Sequence, residues 1–129
     1  MSQGVHISGH TRHGKGPVIE LINPATGEVC DSITTASTTD VSEAVEAAVA
    51  AQREWAARTP GERAKVLLTL ADLIEADAQG ITRLEVDETG KPRAVFQDGE
   101  LPFAADNLRF FAGAGRSLGG TAAAELSAG

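Results

Sequence analysis

The sequence predicts a mainly α-helical chain that opens on an N-terminal β-hairpin. Three observations carry this. A turn-forming run, "NPATGE" at 23–28, lies between two short apolar segments, and the apolar period then changes from two to three or four after residue 37. Start and stop signals bracket each stretch of helical period. With 129 residues the chain is long enough for one compact domain and too short for two ordinary ones.

Taken in order, residues 1–16 hold four glycines, three histidines and little apolar content, and are expected to form a mobile tail or an imperfect edge strand. Pro17–Ile22 is short and β-branched. Glu28–Thr34 alternates Val29, Asp31 and Ile33 on one face with Cys30 and Ser32 on the other. That period of two predicts a pair of strands. Between them, the side chain of Asn23 can fold onto nearby backbone amides, Pro24 fixes its own φ, and Gly27 tolerates a positive φ, so the chain is expected to reverse there.

Helices follow. Ser37 and Asp40 have the spacing of a capping box, and Val41, Ala44, Val45, Ala48, Gln52 and Trp55 then share one face of a helix running to about Ala57. Thr59-Pro60-Gly61-Glu62 starts a second helix, with Thr59 as N-cap, Pro60 in the first turn and Glu62 reaching back; Val66, Leu67, Leu70, Leu73 and Ile74 are its expected buried stripe. A third helix over about Asp77–Glu88, with Ile81 and Leu84 inward, stops at Gly90. The last contains Leu101, Ala105, Leu108, Phe111 and Ala112 and gives way to "GAGRSLGGTAAAELSAG". Three to four helices should therefore cover most of Thr38–Arg116.

Composition excludes several functions. Against 18 acidic residues stand 11 Lys and Arg, a net charge of -7, which disfavours nucleic acid and anionic membranes as partners because both are bound by a basic face. No apolar run approaches the roughly 20 residues of a membrane span, and the N-terminus lacks the apolar core of a signal peptide. The single cysteine, Cys30, cannot form an internal disulfide, in keeping with a reducing compartment. A cytoplasmic protein is expected.

No residue pattern read on its own assigns chemistry. Cys30 has no base beside it and no helix N-terminus to lower its pKa, so packing is favoured over nucleophilic catalysis. His6, His10 and His13 could gather on a metal only if their segment were helical, against which Gly9 and Gly14 argue. "GAGRSLGG" misses the spacing of a dinucleotide-binding turn and follows a helix, not a strand; "TGKP" lacks the earlier glycine and the Ser or Thr of a phosphate loop. Asp72, Glu75, Asp87 and Glu88 fit the solvated face of an amphipathic helix better than an acid–base pair. No catalytic, cofactor-binding or metal residue is assigned.

Four motifs matter together. "NPATGE" at 23–28, "DVSEAVEAAVAAQREWAARTPGERAKVLLTLADLIEADA" at 40–78, "ETGKP" at 88–92 and "LRFFAGAGRSLGG" at 108–120 resemble, in order and spacing, the start of NAD(P)-dependent aldehyde dehydrogenases. The resemblance covers about residues 17–129, and "DGELPFAADNLRFFAGAGRSLGG" looks most like the branch that oxidises γ-aminobutyraldehyde and related aminoaldehydes.

The resemblance implies an α/β family fold with a Rossmann-like cofactor domain, a catalytic domain and an oligomerisation flap, in homo-oligomeric enzymes. Residues 17–129 would be the incomplete leading part of the cofactor domain, following a flexible tail at 1–16. In such enzymes a cysteine thiolate attacks the aldehyde, hydride passes to NAD or NADP, and water hydrolyses the thioester. The family's nucleophile, general base, oxyanion-binding asparagine and nucleotide site lie downstream of the matched motifs, so the segment alone is expected to be inactive and to bind no cofactor. The same match places Glu100 toward the substrate channel as a carboxylate for an aminoaldehyde's ammonium, against the simpler alternative of a solvated helix-end carboxylate. A truncated gene, a split reading frame or a partial expressed segment would each account for the short match. A chain that is loosely packed or self-associating in isolation is expected. The alternative is a stand-alone helical interaction module that binds a partner such as a full-length relative.

Overall fold

The computed structural model describes residues 4–117. Within them the chain forms two units, one of residues 4–54 with 87–90, the other of residues 55–86 with 91–117.

The first unit begins with two short antiparallel strands, β1 (Val5–Ile7) and β2 (His10–Arg12), with Val5 opposite Arg12. Ser8 and Gly9 join them with φ of 53° and 79°. Two left-handed residues in succession make the turn whose twist matches that of a hairpin. Part of the segment expected as a tail or edge strand is thus paired strand, signalled only by the Ser-Gly pair.

The expected hairpin is present. β3 (Val18–Ile22) pairs antiparallel with β4 (Val29–Thr34). Asn23 organises the reversal: its Oδ1 accepts from the Ala25 amide at 2.9 Å, its carbonyl accepts from Gly27 at 2.8 Å, and its own amide donates to Glu28. Gly27 has the positive φ, 75°, that the turn requires. One detail departs from simple alternation. The register runs Leu21 to Asp31 and then Ile22 to Val29, which leaves Cys30 as the extra residue of a bulge.

Helix α1 (Thr38–Ala57) starts on the expected capping box. The Asp40 amide donates to Ser37 Oγ at 3.2 Å, and the Ser37 amide and hydroxyl donate back to Asp40 Oδ2, each at 2.8 Å. Asp40 is only 1% exposed, and a buried carboxylate must be fully paired. The Lys15 amide also donates to Oδ2, and Arg12 donates to Oδ1, both at 2.8 Å. The Ser37 amide first, and then the Lys15 amide, hold the Asp40 carboxyl well below the usual carboxylate range, with Arg12 adding to them. Glu43, one turn on, takes the second nitrogen of Arg12 and the ammonium of Lys15.

The second unit is built on α2 (Pro60–Ala76) packed against α5 (Leu101–Ala114). Its buried residues are mostly alanines, Ala64 and Ala71 on α2 and Ala105 and Ala112 on α5, joined by Leu101 and Thr82. Each alanine pair is spaced by seven, so small side chains recur every two turns on one line of the helix. Arg109 crosses between the helices, donating to both oxygens of Glu75 at 2.7 Å and to Asp72 at 2.8 Å. These bonds, Glu75 before Asp72, keep the guanidinium charged, and Arg109 in turn lowers the Glu75 pKa.

This geometry corrects the expected buried stripe of α2, and apolar residues of α1 and α5 are exposed as well. On α1, Val41 and Val45 are exposed to 56%, and on α2 Val66, Leu70 and Leu73 are exposed, Leu73 to 62%. Phe111 of α5 is also exposed. The α5 partner takes the alanine line of α2, with Leu67 and Ile74 half-buried beside it. The larger side chains therefore lie on a face that no described element covers.

Candidate functional site

The one sequence-predicted site residue, Glu100, stands where two helical geometries meet. Helix α3 (Ala78–Thr89) ends at Gly90, whose φ is 70°, and Lys91-Pro92 lead into a single turn, α4 (Arg93–Val95). The next five residues, Phe96–Glu100, form a π-helical turn before α5 resumes the ordinary pitch. A π turn accommodates one extra residue, so it re-aims everything after it by about 100° relative to a continuous α-helix. Glu100 is its last residue.

Lys91 is the centre of the resulting cluster. Its ammonium donates to Glu100 Oε2 at 2.5 Å and to Glu85 Oε1 at 2.9 Å, and it lies 5.5 Å from the centre of the Phe96 ring. The bond to Glu100, and after it the bond to Glu85, raise the Lys91 pKa. The ammonium is thereby held charged between two carboxylates and an aromatic face. Glu100 remains about half exposed, with Oε2 engaged by Lys91. The sequence match gave Glu100 but not Lys91, Glu85 or the π turn. Gly99 inside an otherwise helical pattern was the available signal, and it is ambiguous.

Do the described residues fit a nicotinamide dinucleotide? Such cofactors place a pyrophosphate on an open helix N-terminus reached from a parallel strand through a glycine turn. Here the described strands are antiparallel pairs, the starts of α1, α2 and α3 already carry carboxylates, and α5 runs on from the π turn without a free start. Asp40 fills that of α1. On α2 the Thr59 amide donates to Glu62 Oε2 at 2.7 Å and the Glu62 amide donates to Thr59 Oγ1, the complete box expected, and the Thr59 amide is the main cause of the lowered Glu62 pKa. The Asp77 carboxylate lies over the first turn of α3, where any side chain at Gly80 would strike it. Residues 4–117 therefore do not fit the pyrophosphate, and no catalytic step is derived through a cofactor held by them.

The other candidates fall elsewhere. His6 sits on β1 with Nδ1 3.0 Å from Thr11 Oγ1, and His10 lies on β2. Among the described residues no group of three or more His, Cys, Asp or Glu could hold a metal. Cys30 is exposed, its thiol donating to the Leu21 carbonyl at 3.3 Å and lying 3.7 Å from that of Asp87. Of "GAGRSLGG", residues 118–120 lie outside the described residues.

Two of the quoted motifs meet. Gly90 of "ETGKP" packs on Pro24 of "NPATGE" so closely that a Cβ on Gly90 would lie 2.7 Å from Pro24 Cγ. Positive φ and close approach both require glycine there. The two motifs, 60 or more residues apart in sequence, form one contact in the fold.

Comparisons with known proteins agree with this placement. PnpE in complex with nicotinamide adenine dinucleotide is 32% identical, over 88% of this chain and 23% of its own, with a TM-score of 0.83. An NAD-dependent benzaldehyde dehydrogenase from Corynebacterium glutamicum is 30% identical over 85% and 24%, with a TM-score of 0.80. The gamma-glutamyl-gamma-aminobutyraldehyde dehydrogenase from Burkholderia cenocepacia J2315 is 30% identical over 92% and 24%, with a TM-score of 0.85. The chain thus spans about a quarter of the length of each. The model of the aldehyde dehydrogenase family matches residues 11–129, taking in the hairpin, both capping boxes and the Gly90–Pro24 contact, and the chain belongs to that family.

Proposed function

We propose that residues 17–129 are the leading part of the cofactor domain of an NAD(P)-dependent aldehyde dehydrogenase, which in complete form oxidises an aldehyde to the carboxylic acid. The observation that carries this is the family match over 11–129 by a chain a quarter the length of the solved enzymes. The segment's part is to supply helices beside the cofactor sheet and a wall of the substrate channel. The complete enzyme is a cytoplasmic homo-oligomer. By themselves residues 1–129 bind neither NAD nor NADP and turn over no aldehyde, because the starts of α1, α2 and α3 are closed by carboxylates of the chain itself.

The substrate is an aminoaldehyde such as 4-aminobutanal, and Glu100 receives its ammonium. The likeness to the gamma-glutamyl-gamma-aminobutyraldehyde dehydrogenase supports an aldehyde of that carbon skeleton, and the half-exposed carboxylate supports the contact with an ammonium. Lys91 holds Oε2, so Oε1 is the atom left for the substrate's cation. Kinetics on an enzyme carrying this segment test the role. Glu100→Gln should raise KM for 4-aminobutanal by about tenfold, the order of one charge-assisted hydrogen bond, while leaving KM for butanal unchanged. An equal effect on both aldehydes would reduce Glu100 to a helix-end carboxylate.

A second reading, a stand-alone helical interaction module, is favoured by the exposed apolar faces of α1 and α2. The thermal transition of the isolated chain separates the two. A sharp, monomeric, cooperative transition belongs to the module.

A further inference from the structure

The outward face of α1 carries five exposed residues, Val45, Glu46, Val49, Ala50 and Arg53, around a shallow apolar groove. Val49 is the most exposed aliphatic side chain there, at 67%. Glu46 and Arg53 make no ion pair with any described residue. They are separated by seven positions, which puts them on nearly the same line of the helix, about 10.5 Å apart, with Val49 and Ala50 midway between them.

That arrangement is complementary to itself. A two-fold interface requires that if residue i meets j across it, j also meets i. Rotating α1 about an axis between Val49 and Ala50 sets Glu46 opposite Arg53 and Arg53 opposite Glu46 in the same operation, and sets the large Val49 against the small Ala50. No other register pairs both charges. A parallel arrangement would set Glu46 on Glu46 and Arg53 on Arg53.

We propose that this face is a self-association surface, on which two copies of the chain pair α1 against α1, antiparallel, about an axis between Val49 and Ala50. One helix pair buries less than the roughly 1,200 Å² of a stable interface, so the dimer is reversible and depends on concentration. The proposal concerns the chain itself and is independent of aldehyde oxidation.

Sedimentation velocity across a concentration series tests it on the full 129-residue chain, with circular dichroism confirming that each variant keeps its helix content. The expected result is a reversible monomer–dimer equilibrium. Glu46→Arg or Arg53→Glu alone, each turning two attractive pairs into two repulsive ones, weakens it by about tenfold or more, and the two together restore it. Cross-linking fixes the direction. In a Cys30→Ser background, Ala50→Cys, whose two copies are offset by about 1.5 Å along the axis, is oxidised by diamide to a dimer. Val45→Cys, offset by about 13.5 Å, is not. A chain that stays monomeric, open-ended aggregation indifferent to the charge reversals, or equal cross-linking at both positions overturns the proposal.

Discussion

Two residues show how much of this fold rests on single positions. Gly90 combines a left-handed backbone with contact to Pro24, so Gly90→Ala meets both backbone strain and a clash. We expect a loss of about 1–3 kcal/mol in urea unfolding, against a few tenths for Gly99→Ala, where nothing lies within 4 Å of the added carbon. Equal costs at the two glycines would mean that the motif contact contributes nothing. Asp40 governs pH dependence instead. Its folded pKa is depressed, as are those of Glu62 and Glu75, so the unfolded chain takes up these protons first as the pH falls. Their stabilisation is complete above the ordinary values of 3.8 and 4.5 and is lost as pH drops through and below them. Melting temperatures measured from about pH 6 to about pH 3 should fall, and Asp40→Asn should start lower at pH 6 and fall less steeply. A parallel pair of curves would remove Asp40 from the account.

At the scale of elements, the helix starts were legible because each is a local sentence in the sequence. Ser37 with Asp40 and Thr59 with Glu62 close their boxes within four residues, and the distant partners that Asp40 adds, the Lys15 amide and Arg12, leave the Ser37 bonds in place. Thr59→Ala should therefore cost about 1 kcal/mol by urea unfolding, with the loss of amide protection confined to the first turn of α2 under hydrogen exchange. Protection lost evenly along the helix would point to a packing role for Thr59. The irregular elements were not legible, for the opposite reason. The bulge at Cys30 interrupts a run whose side chains alternate well enough to read as a plain strand. The π turn at Phe96–Glu100 differs from ordinary helix in sequence only by the ambiguous Gly99, and the Lys91 cluster beside it distinguishes the site. Glu100 was found through a family match, whereas its partners needed the fold.

At the scale of the whole molecule, the apolar stripe of α2 was read correctly as apolar and wrongly as buried, and the apolar face of α1 is exposed as well. Periodicity identifies a face, but what covers that face depends on other elements, and no described element covers Val41, Val45, Leu70 or Leu73. The buried lines of α2 and α5 are instead alanines, which carry a weak signal in sequence. Exposed valines, leucines and the phenylalanines Phe103, Phe110 and Phe111 fit a segment whose family neighbours are about four times its length.

The central claim, that these residues belong to an aldehyde-oxidising fold without holding its cofactor, is tested most directly by calorimetric titration of the purified 129-residue chain with NAD and NADP. Carboxylates already close the starts of α1, α2 and α3, and α5 offers no free start to a pyrophosphate. The expected result is no saturable heat with either nucleotide and no NADH formed from 4-aminobutanal at high protein concentration. A saturable isotherm with either nucleotide would contradict the claim.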